Sequence, residues 1–180
     1  MTPGMSATYP AWSADGRLLY FASHQSGEWE IWKRSVSGGP AAQVTRHGGY
    51  ISQESPDGHW LFISKVSETS LWRIPGSKFN GERPSDEELV IGPPFEVKPE
   101  AWILAGAEII FTQRVMQPDD RTLIRAFNPA TKQTRVIATL SPHFMHRNNL
   151  KLSVSPDLQW LLYSQLDKTG SNIMITESVQ

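Results

Sequence analysis

The polar and apolar positions of the chain follow one short pattern that occurs four times. In each copy a polar turn is followed by a short, almost continuously apolar run. These runs span residues 18–22, 60–64, 108–112 and 160–164. A strand with one solvated face would alternate between apolar and polar residues, so we interpret the runs as strands of sheets that are covered on both faces.

The turn before the apolar run has the form Ser-x-Asp-Gly in the first two copies, at residues 13–16 and 55–58. An aspartate can cap its own turn, and a glycine adopts a positive φ without steric cost. Asp-Gly between apolar runs is also a strong signal for a hairpin. The pattern therefore predicts two antiparallel strands joined by a tight turn.

The last two copies depart from this form. In the final copy Leu158 occupies the glycine position, which predicts either another turn type or a left-handed leucine that costs about 1–2 kcal/mol. In the third copy Ala105 occupies the aspartate position, so Gly106 alone is expected to hold the turn. Three residues of the third copy follow their counterparts in the first at one constant spacing: Trp102 after Trp12, Gly106 after Gly16 and Phe111 after Phe21.

Further strands are predicted around each hairpin, and no stretch has a convincing helical period. The first strand of the first blade is predicted at residues 6–12. Third strands are predicted at 29–33, 71–74, 123–127 and 173–176, and fourth strands at 43–45, 89–91 and 135–138. A repeat of roughly 40–50 residues with several short strands is typical of blade-type arrays. We therefore predict an all-β fold, a β-propeller of about four antiparallel blades in one domain, residues 1–180. The blades are expected at residues 6–46, 47–92, 97–139 and 149–178, three of them complete with four strands and the last with three.

An arc of this kind would expose apolar blade faces and an unpaired strand edge, both of which favour association. We expect the chain to be part of a larger propeller ring whose other blades lie outside it. The alternative is a homodimer in which two copies close one ring.

The bulk composition excludes several classes of protein. The 180 residues, of which 39% are hydrophobic, could bury a sizeable core. Seventeen basic against 18 acidic residues give a net charge of −1, so no nucleic acid is expected to bind this segment. The absence of cysteine excludes disulfides and thiolate chemistry. No apolar run reaches the roughly 20 residues of a membrane span, and residues 1–10 do not resemble a signal peptide.

An ordered set of short segments resembles the TolB-like propeller repeat of bacterial periplasmic proteins. These segments are EWEIWK (28–33), QVTRHGGY (43–50), ESPDG (54–58), LWRIP (71–75), LLYSQ (161–165) and SNIMI (171–175). More specifically, the chain resembles the C-terminal part of the propeller of bacterial transcriptional regulators in which a winged-helix domain comes first, in the style of CadC. The resemblance implies an interaction or sensory module in the periplasm, with the winged helix and any membrane span upstream.

No residues are predicted to be catalytic, to bind a cofactor or to bind a metal. The sequence contains no nucleophile elbow, phosphate-binding glycine loop or zinc-protease motif. His143 and His146 have a spacing that could share a metal, but no nearby carboxylate or thiolate completes the ligand set. The pair Asp119 and Asp120 is interpreted as a solvated turn.

A binding surface is predicted where loops enter each first strand, at residues 46–50, 93–97 and 143–149. The loops between second and third strands share this end, at residues 24–28, 66–69, 115–121 and 165–171. Aromatic and polar residues mix there, as they do in recognition surfaces. The candidate residues are His47, Tyr50, Phe95, His143, Phe144, His146 and Arg147. Trp12 and Trp102 are added because first strands lie nearest the central channel, although core packing is the more common role of such tryptophans.

These features predict a non-enzymatic propeller module for protein–protein interaction or signal sensing, with a protein partner or the remaining blades as its contacts. Two alternatives stay open. The chain could be the gating propeller of a prolyl-oligopeptidase-type serine hydrolase, which uses similar turns. It could also bind a small ligand in a central channel, because fold alone does not decide function.

Overall fold

The computed structural model describes residues 6–78, 87–116, 120–140, 151–167 and 170–177, with the backbone alone from residue 165 onward. The described strands form four antiparallel sheets, each in simple sequence order. The first sheet contains β1 (Ala7–Trp12), β2 (Leu18–Ser23), β3 (Glu30–Ser35) and β4 (Ala42–Gln43), and the second contains β5 (Ile51–Glu54), β6 (Trp60–Ser64), β7 (Leu71–Pro75) and β8 (Glu88–Ile91). The third contains β9 (Trp102–Ala105), β10 (Glu108–Val115), β11 (Arg121–Asn128) and β12 (Gln133–Leu140), and the fourth contains β13 (Leu152–Val154), β14 (Trp160–Asp167) and β15 (Gly170–Glu177).

The predicted all-β class, with three four-stranded sheets and a three-stranded last sheet, is confirmed. The apolar runs form the second strands, whose central residues Tyr20, Leu61 and Ile110 are at most 2% exposed. Some strand ends differ from the prediction by one or more residues. The third strand of the first sheet starts at Glu30 rather than Trp29, and its fourth strand is only Ala42–Gln43.

The Ser-x-Asp turns are closed by one set of local hydrogen bonds. The Ser13 hydroxyl donates to Asp15 (2.7 Å) and accepts from the Leu18 N–H (2.8 Å), while Asp15 also accepts from the Arg17 N–H (3.0 Å). The same bonds recur around Ser55 and Ser155. These donors favour the charged carboxylate, which is why the turn lowers the pKa of its aspartate. The Ser55 hydroxyl is the main cause for Asp57, whose pKa falls to about 2, and the pKa values of Asp15 and Asp157 are lowered likewise.

Leu158 adopts the left-handed conformation at the glycine position, with φ 60°. Its N–H donates to the Ser155 carbonyl at 2.9 Å, just as Gly16 and Gly58 bond to Ser13 and Ser55. The turn type is therefore retained, and of the two expectations for this copy the strained leucine is the one observed.

The third hairpin is built differently from the first, although the constant spacing between the two copies suggested that they are equivalent. Ala105 pairs directly with Glu108, so its loop has only the two residues Gly106 and Ala107, with a positive φ of 60° at the first. That pattern is typical of a type II′ turn. Trp12 pairs with Leu19, whereas Trp102 pairs with Phe111, further from its turn. The two tryptophans are consequently not equivalent: Trp12 is 64% exposed and Trp102 is 4% exposed.

The chain divides into two compact units, one up to Pro99 and one from Glu100. In the first unit, Tyr20, Ala22 and Ile31 of the first sheet pack with Leu61 and Ile63 of the second. In the second unit, a separate cluster joins the third and fourth sheets: Ala105, Ile110, Ile124, Leu140 and Leu161. Within the described residues, no helix is both long and apolar enough to cross a membrane.

Candidate binding surface of the first unit

Two loops of the first unit meet at one end of its sheets. One joins β2 to β3 and ends at Trp29, and the other runs from Val44 to Tyr50, between β4 and β5. The Gly49 N–H donates to the Trp29 carbonyl at 2.8 Å, and the Tyr50 N–H donates to the Ser64 carbonyl at 2.8 Å. These backbone bonds hold the second loop against the ends of both sheets.

Three aromatic side chains of these loops pack together with one from β1, and we call Tyr9, His24, Trp29 and Tyr50 the aromatic cluster. The rings of Tyr9 and Tyr50 lie 4.6 Å apart, and their hydroxyls are 3.3 Å apart. Trp29 contacts Tyr50 at 5.5 Å in an edge-on arrangement, and His24 contacts Trp29 at 5.6 Å in the same way. Such tilted geometries are favoured between aromatic rings. Tyr9, Trp29 and Tyr50 are half-buried, so the cluster is part core and part surface.

Tyr9 joins the cluster from a bulge in β1. The register of β1 against β2 shifts between Thr8 and Ala11, and Tyr9 has φ 50°. A positive φ is uncommon for a bulky residue, and bulges often redirect a side chain next to a functional site. The bulge thus turns Tyr9 toward Tyr50 at some conformational cost.

The second loop is held in place by the buried residue Glu30, which is 4% exposed. Its carboxylate accepts from the Thr45 hydroxyl (2.5 Å) and from the Gly48 N–H (3.3 Å). The Thr45 hydroxyl oxygen in turn accepts from the Ile31 N–H (2.8 Å). Gly49 lies so close to the sheet that a Cβ there would be 2.7 Å from Ile31 Cγ1. The loop is therefore a preformed element rather than a loose connection.

A buried lysine lies beside the same loop. Lys65 is 6% exposed, and its ammonium is 2.7 Å from Glu87 and 3.7 Å from Glu68. It also lies 4.5 Å from the Trp72 ring centre, and the Trp72 N–H donates to Glu68 at 2.8 Å. A buried charge is tolerated when it is paired in this way. Lys65 is thus occupied by these partners.

The candidate residues of the sequence analysis fall in different environments. His47 is exposed on the loop, and Tyr50 belongs to the aromatic cluster. Phe95 is half-buried in the segment that follows β8 and leads back to the loop between β6 and β7, where the Val97 N–H donates to the Thr69 carbonyl at 2.7 Å. His143, Phe144, His146 and Arg147 lie outside the described residues. The exposed Trp12 and buried Trp102 are not in the aromatic cluster.

Sequence reasoning missed three members of the cluster as site residues. Trp29 is predicted only as the start of a third strand, His24 only as part of a loop, and Tyr9 only as part of a first strand. The signal for Tyr9 is weak, because neither glycine nor asparagine marks the bulge. The concentration of aromatic residues at the ends of predicted strands was the available clue.

One group of side chains has the residue types of a hydrolase triad but a different order. Asp57 lies between the other two: it accepts from the Ser55 hydroxyl (2.5 Å) and lies 3.1 Å from Nδ1 of His59. In a catalytic triad the histidine lies between serine and aspartate and takes the serine proton. Here the imidazole does not contact the hydroxyl, so this group serves the turn. Among the described residues, no three His, Asp or Glu side chains are placed to hold a metal ion.

No profile of a known protein family matches the sequence, and no curated protein matches it significantly. Solved structures do resemble its fold. TolB from Acinetobacter baumannii superposes with a TM-score of 0.73 at 16% identity, over 97% of this chain and 41% of TolB. An oligogalacturonate lyase from Vibrio parahaemolyticus gives 0.66 at 13% identity, over 97% of this chain and 54% of the lyase.

The β-propeller domain of the Trilobed protease from Pyrococcus furiosus gives a TM-score of 0.60 at 15% identity, over 97% of this chain and 56% of that one. This chain therefore spans less than two thirds of each of these three proteins. At such identities the likeness concerns the fold. It confirms a partial, TolB-like β-propeller whose blades are the four antiparallel sheets.

Proposed function

We propose that this chain is a non-enzymatic propeller module for protein–protein interaction or signal sensing. We further propose that it belongs to a bacterial TolB-like protein or to a winged-helix regulator of the CadC style, acting in the periplasm. The remaining blades of the ring, or a second copy of the chain, would complete the module.

The aromatic cluster is the observation that carries this proposal. It combines half-buried rings with exposed polar neighbours on a loop that Glu30 holds in place. Aromatic residues are enriched in recognition surfaces, and a preformed loop loses little conformational entropy on binding.

Site-specific photo-crosslinking tests the proposal in bacterial cells that express the chain. A benzophenone amino acid replaces His47 in one variant and Arg17, on the turn at the other end of β1 and β2, in the control. We expect position 47 to trap a protein that then binds the purified chain directly, and position 17 not to trap it. Identical adducts from both positions, or none from position 47, would contradict a docking role for this surface.

The second candidate is a gating propeller of a serine hydrolase. The likeness to the propeller domain of the Trilobed protease favours it. Sequencing the gene beyond codon 180 separates the two proposals. An α/β-hydrolase domain with a serine nucleophile downstream would support the second candidate, and its absence would leave the interaction module. A third possibility is a small ligand bound in a central channel. Substitutions at position 47 would then leave the affinity of the chain for that ligand unchanged.

A further inference from the structure

We infer that the chain associates head to tail, with one face of the first sheet of one copy packed on one face of the fourth sheet of a second copy. This inference rests on the proposed function, in which further blades or a second copy complete the module, and it commits to the second copy. Equivalent positions in different sheets carry the inference, because they are packed in some sheets and exposed in others.

The Ser-x-Asp turns define which positions are equivalent. In each turn the serine hydroxyl accepts from the N–H five residues later, and these donors are Leu18, Trp60 and Trp160. Successive residues of a strand point to opposite faces of its sheet. Each second strand therefore presents this donor residue on one face and the residue that follows it on the other.

One set of positions packs on the preceding sheet. In the second sheet, Leu61 and Ile63 pack against the first sheet, and Glu54, just before the turn serine, bonds to it. In the fourth sheet, Leu161 and Val154 occupy two of these positions and pack against the third sheet. In both units the same face of a sheet thus receives the sheet before it.

The first sheet has the same positions, but its face is open. Trp12 pairs with Leu19, so the two side chains share a face, while Tyr20 and Ala22 point the other way, into the cluster with the second sheet. Phe21, on the face of Leu19, is 9% exposed, but Trp12 is 64% exposed and Leu19 is half-buried. We call Trp12 and Leu19 the leading face. It corresponds to the faces that receive a preceding sheet, and its tryptophan is uncovered.

The fourth sheet carries the complementary face. In the first sheet, Leu18 and Tyr20 pack toward the second sheet, which follows it. Their counterparts in the fourth sheet are Trp160 and Leu162, which lie on the face opposite to that of Leu161. Trp160 is 39% exposed and Leu162 is half-buried. We call Trp160 and Leu162 the trailing face.

A second copy brings to each face the type of surface that it packs on within this chain. The trailing face corresponds to the side of the first sheet that meets the second, and the leading face corresponds to the side of the second sheet that meets the first. Contact between unlike faces is heterologous, and it produces a closed ring or an open chain of copies. Contact between two leading faces would not reproduce the packing seen within either unit. The exposed Trp12 and Trp160 are the apolar surface that association would remove from water.

Light scattering on two variants of the full chain tests the inference. Trp12→Glu removes the leading face and keeps the trailing face, and Trp160→Glu does the reverse. Because a buried carboxylate without a partner is costly, each variant alone should keep the mass of one chain where the parent associates, with a dissociation constant at least about tenfold higher. An equimolar mixture should reach the mass of two chains, since the intact face of each variant matches that of the other.

Controls separate this result from damage to the fold. Val36→Glu, at a position 54% exposed in the turn after β3, should associate like the parent. The double variant Trp12→Glu, Trp160→Glu should remain a single chain in a mixture with either single variant. Thermal unfolding of each variant is measured in parallel, and Trp12→Gln and Trp160→Gln replace any glutamate variant that unfolds.

Three outcomes would overturn the inference. Association of a single variant on its own would show that like faces pair. A mixture that keeps the mass of one chain would show that the two faces do not meet. A parent chain that is monomeric at every concentration would show that the leading face takes a blade from outside this chain.

The two proposals can fail separately, because position 47 lies beside the aromatic cluster and on neither of these faces. If position 47 crosslinks to a partner but the mixed variants do not associate, the head-to-tail contact is wrong and the interaction module stands. If the mixed variants associate but position 47 traps no protein, the docking role of the aromatic cluster is wrong and the head-to-tail contact stands.

Discussion

At the scale of single residues, Glu54 joins the first two sheets. Its carboxylate accepts from the Ala14 N–H (2.7 Å) and the Tyr20 hydroxyl (2.9 Å) of the first sheet. It also accepts from the N–H (2.5 Å) and hydroxyl (3.0 Å) of Ser77, which follows β7 of the second sheet. Four donors converge on one half-buried side chain. An ionised carboxylate suits them because it is purely an acceptor.

Glu54→Gln should therefore destabilise the chain by about 1–3 kcal/mol, because an amide NH₂ would face donors that need an acceptor. Urea unfolding followed by tryptophan fluorescence measures the loss. The exposed Glu28→Gln is the control and should change stability by less than about 0.5 kcal/mol. Equal effects of the two substitutions would show that Glu54 does not connect the sheets energetically.

The turn aspartates predict a specific dependence of stability on pH. Hydrogen bonds lower the pKa of Asp57 to about 2 in the folded chain, and those of Asp15 and Asp157 are lowered as well. A carboxyl group whose pKa is lowered by folding stabilises the fold above its unfolded pKa of about 3.9. For Asp57 that contribution is lost as the pH falls through about 2.

The triple variant Asp15→Asn, Asp57→Asn, Asp157→Asn keeps an acceptor oxygen in each turn but cannot titrate. Its urea midpoint should fall less than that of the parent chain between about pH 4 and pH 2, where the aspartates become protonated. Glu28→Gln, which changes an exposed carboxylate outside the turns, is the comparison. Parallel pH profiles of the parent and triple variant would argue against the turn bonds.

Single residues also mark where prediction from the sequence ended. The sequence predicts either another turn type or a left-handed Leu158. The second is observed because Ser155 and Asp157 make the turn bonds whichever residue follows them. The bulge at Tyr9 could not be predicted, since its conformation is imposed by ring contacts with a residue far along the chain, Tyr50. Long-range packing of this kind leaves little trace in local sequence.

At the scale of elements, the loop from Val44 to Tyr50 is the part that positions the candidate site. Glu30 and Thr45 hold it through hydrogen bonds, and Gly49 holds it through close approach. Gly49 has no positive φ, so its requirement concerns space rather than backbone conformation. Gly38 presents the opposite case, with φ 105° and open space around it.

Gly49→Ala should destabilise the chain by about 1–3 kcal/mol, because the new methyl group would overlap Ile31 and Thr45 and displace the loop. Gly38→Ala should cost roughly 1–2 kcal/mol, from backbone strain alone. The two separate in a second measurement: only Gly49→Ala, which displaces the loop that carries His47, should lower the yield of the crosslink from position 47. A lower crosslink yield for Gly38→Ala as well would contradict this division.

Elements differ in how well the pattern of residues predicts them. The starts of the second strands were predicted correctly, because these buried strands begin where the apolar runs begin, whereas β10 and β14 extend three residues beyond the predicted ends. Among the fourth strands, β4 was placed poorly, since the exposed Ala42 and Gln43 carry no burial signal, whereas β8 was predicted within one residue. The third hairpin was misaligned because its loop is shorter and the recurrence of tryptophan suggested an equivalence that the strand register does not support.

At the scale of the whole molecule, large apolar side chains remain exposed in the part of the chain that the structure describes. Trp12 is 64% exposed at the end of β1, and Val136 is 48% exposed on β12, the outer strand of the third sheet. Outer strands with apolar side chains and exposed tryptophans promote association. This agrees with the proposal that further blades or a second copy accompany the chain.

The purified chain should therefore self-associate, so that its mass by light scattering rises with concentration above that of one chain. Trp12→Gln combined with Val136→Lys should lower that mass toward the monomer, because both changes remove an apolar side chain from an outer strand of a sheet. Val36→Lys, at a position 54% exposed in the turn after β3, is the control and should have no effect. A monomer at every concentration would contradict this expectation.

The self-contained turn has a consequence for how such a chain can grow. The hydrogen bonds among Ser55, Asp57 and Trp60 all lie within one short segment of the chain. A duplicated blade therefore keeps a complete turn wherever it is inserted. The position just before the serine is different in each of the three copies: Trp12, Glu54 and Val154. Trp12 is exposed, Glu54 bonds to the neighbouring sheet, and Val154 packs against a hydrophobic core. Duplication can thus multiply the scaffold at once, while divergence at this single position gives each blade its own neighbour.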